Sequence, residues 1–116
     1  IVDLGIRNYL LGAKNRDRGH ILENVVFMEL KNRGYRIFIG KIGDKEVDFI
    51  AEKQNKKMYI QVTETMMDEN TRQRELAPLK AINDNYEKIV LTTDTLFTPA
   101  NEDGIKILNL QDWLLD

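Results

Sequence analysis

Three side chains in this sequence have the types and spacing to begin a divalent-cation site: Glu23, Asp48 and Gln61. Asp48 is a carboxylate between Val47 and Phe49, and Gln61 is an amide between Ile60 and Val62. A polar group inside an apolar strand costs free energy unless something pairs with it. Alternate residues of a strand share a face, so Tyr59, Gln61 and Thr63 point one way and Met58, Ile60 and Val62 the other, while Asp48 goes with Ile50. If these two runs pair as a hairpin, Asp48 and Gln61 can face the same side. Glu23 follows Leu22 near the buried edge of a helical pattern and could reach both. Three oxygen ligands on rigid elements are the start of a metal site for phosphodiester hydrolysis. Each residue also has an ordinary reading. Asp48 can bond to backbone or to Arg72 or Arg74, Gln61 can satisfy hydrogen bonds, and Glu23 can pair with a base or face solvent. The single histidine, His20, reads as a helix-start residue.

The elements that must position these groups are legible from periodicity. His20 to Arg33 is a helix, with Ile21, Leu22, Val25, Val26, Met28 and Leu30 at three- and four-residue spacing. Gly34 stops it, and Lys31 and Arg33 occupy the last turn. A short helix is expected around Leu4–Leu11, and residues 13–19 read as a polar, basic loop. Strands follow at 35–40, 46–51 and 58–64, joined by a turn at Gly43-Asp44 and by the polar hairpin turn 52–57. Thr71 to Ile82 reads as a helix capped by Thr71, with Pro78 a candidate kink. Arg72, Arg74 and Glu75 read as its solvated face. An apolar strand at 88–93, following a helix, suggests a parallel crossover. Residues 99–104 read as a turn, 105–110 as a last strand, and 111–115 as a closing helix.

The 116 residues favour one domain, 1–116. Cysteine is absent, which excludes disulfides, thiolate metal sites and cysteine nucleophiles and suits a reducing, cytoplasmic setting. No apolar run is long enough to span a membrane, and no membrane partner is expected. The net charge of −2 does not announce nucleic-acid binding, but Lys53, Lys56 and Lys57 cluster, as do Arg72 and Arg74. The chain opens on Ile1, and the reading is of a C-terminal domain excised from a longer polypeptide. No G-x-x-x-x-G-K-[ST] loop occurs, so any ATP chemistry is expected upstream.

A helix bearing Glu23, then Gly34-Tyr35, then the apolar-flanked Asp48, then a strand with polar Gln61 and Thr63 resembles the order of the PD-(D/E)XK nuclease fold. The segments 2–12, 18–35, 43–53, 59–62 and 71–86 resemble more narrowly the C-terminal domain of bacterial and archaeal AAA-type ATPases, in which this nuclease-like fold follows the ATPase and a winged-helix region. The resemblance covers almost the whole chain. It implies a three-layer α/β sandwich with a small mixed sheet. It also implies that Glu23 matches the helix glutamate, Asp48 the metal-binding aspartate, Gln61 the (D/E) position and Thr63 the lysine position. A threonine hydroxyl is neutral and cannot replace that lysine. Gln61 offers one neutral amide oxygen where Mg²⁺ favours carboxylate.

The expectation is therefore an accessory module of an AAA-type ATPase with a degenerate catalytic site at Glu23, Asp48 and Gln61, no nuclease activity of its own and no cofactor. Its expected partners are the upstream ATPase domain and DNA, with Lys41, Lys45, Arg72 and Arg74 as candidate nucleic-acid contacts. Two alternatives stand beside it. One is an active endonuclease holding Mg²⁺ on Glu23 and Asp48, with a lysine relocated from Lys41 or Lys45. The other is an oligomerisation or docking domain with no nucleic acid involved.

Overall fold

The computed structural model describes residues 15–42, 45–94 and 100–116. The helix expected near 4–11 and the turn at Gly43-Asp44 lie outside the described residues. The elements are α1 (Asn15–Asn32), β1 (Arg36–Ile42), β2 (Lys45–Lys53), β3 (Lys56–Thr63), α2 (Glu69–Lys80), β4 (Glu87–Thr92), β5 (Ala100–Glu102), β6 (Ile105–Asn109) and α3 (Leu110–Leu115). They form one six-stranded sheet in the order β1-β2-β3-β4-β6-β5. β1, β2 and β3 run antiparallel, β3, β4 and β6 run parallel, and β5 returns antiparallel to β6.

α1 starts earlier than periodicity alone indicates. Residues 15–19 belong to the helix rather than to a polar loop. Asp17 is exposed in the first turn and favours the positive end of the dipole, and Arg18 pairs with Glu64 at 3.2 Å. Leu22, Val26 and Leu30, four residues apart, are fully buried. The helix ends as expected at Gly34, which adopts φ +89°. Tyr35 N–H donates to Leu30 O and Gly34 N–H to Lys31 O, the paired bonds that satisfy a helix's last carbonyls when a residue without a Cβ turns left-handed.

The three layers follow from strand alternation. On one face, Met58, Ile60 and Val62 of β3 and Ile89 and Leu91 of β4 pack under α1 and under Leu110, Trp113 and Leu114 of α3. On the other face, Tyr59, Val90, Ile105 and Ile107 pack under Leu76 and Leu79 of α2. Arg33 pins the first layer together. Its guanidinium lies 4.4 Å from the Trp113 ring centroid, donates to Trp113 O at 2.7 Å and bonds Glu29 at 2.7 Å.

α2 is capped by Asp68, not Thr71. The Asp68 carboxylate accepts the Thr71 amide at 2.9 Å and the Thr71 hydroxyl at 3.1 Å, so Thr71 lies inside the first turn. The helix runs through Pro78 to Lys80. The expected turn at 99–104 holds a short edge strand, β5, because Ala100–Glu102 pair with Ile105–Ile107. The final helix is capped by Asn109, whose side chain accepts the Asp112 amide.

Candidate functional site

The site grows out of an irregularity in β2. Phe38 pairs with Ile50 and Gly40 with Val47, so two residues of β2, Asp48 and Phe49, stand opposite Ile39 alone. This is a β-bulge, and an extra residue reverses the phase of a strand's faces. The packing shows the reversal: Phe49 and Ala51 lie on the α1 face, whereas Ile50 and Val47 both lie on the α2 face. A regular strand would put Val47 with Phe49. Gly40 sits where Val47 and Ile50 converge, and a Cβ there would meet Ile50 side-chain carbons at 2.8 Å. The simple alternation that groups Asp48 with Ile50 is therefore broken at Asp48 itself.

Backbone pairing between β2 and β3 runs from Lys53 opposite Lys56 to Phe49 opposite Ile60. Beyond that point side chains take over. Asp48 N–H donates to Gln61 Oε1 at 2.8 Å, and Val62 N–H donates to Asp48 Oδ2 at 2.9 Å. Gln61 is buried, and its Nε2 donates to the Glu75 carbonyl of α2 at 3.2 Å. Asp48 and Gln61 are thus brought together as expected, and each accepts a backbone amide of the other's strand.

The electrostatics add a residue that periodicity assigns to a solvated surface. Burial pushes the Glu75 carboxyl up to about 7, and the negative charges of Asp48 and Glu23 push the same way against Arg74. Burial likewise raises Asp48 to about 6. The Val62 amide opposes that rise, and Glu23 and Glu46 add to it. Glu23 from α1, Asp48 from β2 and Glu75 from α2 therefore share one region of negative potential. Glu75 is half-buried rather than part of a solvated face. Its one readable signal is a position next to Leu76, which is fully buried on the inner side of α2.

The remaining candidates fall elsewhere. Thr63, at the expected lysine position, donates its hydroxyl to Thr65 O at 3.2 Å. Arg72 is half-buried and grips Glu102 through Nε at 3.0 Å and through Nη2, while Arg74 is exposed. Lys41 is exposed beside Glu46 in the register of β1 and β2, and the Lys45 side chain lies outside the described residues. His20 is exposed within α1 rather than at its start. Met66 packs into the core, whereas Met67 is exposed. Among the described residues, no three of His, Cys, Asp or Glu stand where they could hold a metal ion together. The donor set does not fit the Mg²⁺ that the nuclease resemblance implies. The carboxylates share a region, but Asp48 Oδ2 already binds an amide and Gln61 contributes no charge.

The fold and site define an α/β domain with a mixed six-stranded sheet between helical layers, and a bulged strand that presents a carboxylate at its splayed end. The chain belongs to the family described as a domain of unknown function, DUF4143, which matches residues 18–113. It is 42% identical over 115 residues to an "Uncharacterized protein" of Haemophilus influenzae, covering 99% of this chain and 28% of that protein. It is 37% identical over 113 residues to "Uncharacterized protein MJ1544" of Methanocaldococcus jannaschii, covering 93% of this chain and 24% of that one. The chain spans about a quarter of the length of the relatives it matches. No helix among the described residues is long and apolar enough to cross a membrane.

Proposed function

We propose that this chain is an accessory module of an AAA-type ATPase, built on a PD-(D/E)XK-like frame whose catalytic centre has lapsed, and that it serves nucleic-acid or partner interaction. The observation that carries this reading is the engagement of Asp48 and Gln61 with backbone amides rather than with open space. A catalytic carboxylate needs free oxygens aimed at a ligand. Here one oxygen of Asp48 closes the gap between β2 and β3. The order of a helix bearing Glu23, three antiparallel strands, a helix and a parallel strand supports the nuclease-like frame. The small share of its relatives' length that the chain spans supports its being one part of a larger machine.

A second reading is an active Mg²⁺-dependent endonuclease using Glu23 and Asp48, and the mutual electrostatic influence of Glu23, Asp48 and Glu75 is what favours it. One experiment separates the two. The chain is incubated with branched or single-stranded DNA and Mg²⁺ or Mn²⁺, and the DNA is expected to stay intact. Cleavage that Asp48→Ala abolishes would overturn the lapsed-site reading in favour of the enzyme.

A further inference from the structure

The tip of the β2–β3 hairpin lies at the far end of both strands from Asp48. Lys53 is five positions beyond Asp48, about 17 Å of extended chain. A cleft of ≈ 300 Å³ opens there, lined by Tyr35, Asn55, Lys56, Lys57, Tyr86 and Glu87 among others. Its walls carry two tyrosines, Tyr35 half-buried and Tyr86 47% exposed. Lysines stand over these rings: Lys53 Nζ is 5.2 Å from the Tyr35 centroid, and Lys57 Nζ is 5.2 Å from that of Tyr86. Lys57 also lies 5.5 Å from the Tyr59 ring, so its ammonium is held between two aromatic residues.

Charge accounting makes this end locally positive in a chain of net charge −2. Among the described residues the nearby acids each have a cation partner: Glu52 with Arg36, Asp84 with Lys88, and Glu87 with Lys106. Among the described residues Lys53, Lys56 and Lys57 make no ion pair. Lys53 is instead fixed by donating to Arg33 O at 2.7 Å. Two ammonium groups without an ion pair among the described residues, Lys56 and Lys57, beside the exposed Tyr86 ring match a ligand with one flat aromatic part and one phosphate part.

We infer that the hairpin-tip cleft binds a nucleotide unit, with the base stacked on Tyr86 and the phosphate held by Lys56 and Lys57. The cleft is large enough for one such unit, and Asn55 adds a polar side chain to its lining. The site is separate from Asp48 and does not depend on whether the centre there is lapsed. A free nucleotide and a nucleotide within a single strand share this chemistry. Duplex DNA does not, because its bases are not open to stacking on a side chain.

The test is equilibrium binding by the 116-residue chain at low salt. Fluorescent oligodeoxythymidine and a fluorescent adenine nucleotide are the two probes, and they distinguish the sources. Binding to either is expected, about tenfold weaker for Tyr86→Ala, near wild type for Tyr86→Phe, and about tenfold or more weaker for the double change Lys56→Gln with Lys57→Gln. Unchanged melting of each variant shows that the fold is intact, and Tyr86, being at the surface, should satisfy this. The inference is overturned if neither probe binds, or if the tip variants bind as wild type while Arg74→Gln or Lys41→Gln loses binding. It is also overturned if inorganic triphosphate, polyglutamate or duplex DNA competes as well as the oligonucleotide, since charge alone would then explain the surface.

Discussion

Asp48 donates its amide to the side-chain oxygen of Gln61 at 2.8 Å, and the Asp48 carboxylate accepts the amide of Val62 at 2.9 Å. Two polar side chains thus replace ladder bonds where β2 bulges away from regular pairing. The arrangement explains how a carboxylate and an amide persist inside apolar strands. Each is bonded, and each bonds a group that the bulge would otherwise leave unpaired.

Replacing Gln61 tests that relationship. Gln61→Leu keeps the approximate volume but leaves the Asp48 amide and the Glu75 carbonyl without this partner. A loss of about 1–3 kcal/mol in urea unfolding is expected. Gln61→Glu gives up the Nε2 donor and adds charge beside Asp48 and Glu75. Its cost should be larger at pH 8 than at pH 5. Equal costs at the two pH values would refute electrostatic crowding at this site.

The raised carboxyls also predict a pH dependence. In the fold Asp48 titrates at about 6 rather than 3.8, and Glu75 at about 7 rather than 4.5. The folded state therefore holds protons that the unfolded chain has released. Their contribution to stability is present in full below about pH 4 and is lost as pH rises through 6 and 7. Asp48→Asn retains an acceptor for Val62 and removes the charge. It should match wild type near pH 4 and exceed it at pH 8 by about 1 kcal/mol, allowing for solvent screening of a half-buried group. Denaturant midpoints across this range check the sign.

Gly40→Ala should cost about 1–3 kcal/mol, because the new Cβ meets the Ile50 side chain that the bulge brings over it. Hydrogen exchange should show the loss concentrated in β1 and β2. A neutral result would mean that Ile50 repacks freely.

Arg33→Met keeps an apolar stem on Trp113 and removes the bonds to Glu29 and to the Trp113 carbonyl. A destabilisation of about 1–2 kcal/mol is expected, with the amides of α3 exchanging faster than those of β3. Uniform exchange would show that Arg33 does not anchor the C-terminal helix.

Much of the frame was legible because its signals are local. Gly34 needs only its own missing Cβ to end α1, and the apolar spacing of Leu22, Val26 and Leu30 carries the helix. Alternation in 58–62 placed Gln61 opposite the neighbouring apolar face. The charged start of α1 was not legible, because solvated polar residues read alike as loop or first turn. The short strand at Ala100–Glu102 was hidden because its only support is pairing with β6. Arg72 looked solvated because its partner, Glu102, lies thirty residues away and is brought near only by the sheet.

The sequence by itself determined most of the elements, the face that Gln61 takes and the presence of a carboxylate in β2, because periodicity acts over a few residues. Only the tertiary structure decided what that carboxylate does. The bulge depends on how β1 and β2 register, and the burial of Glu75 depends on how α2 lies across the sheet. Both arise from contacts between segments far apart in the chain. Asp48 is thereby not a free ligand candidate but a group bonded at the seam between two strands, and its own burial raises its pKa.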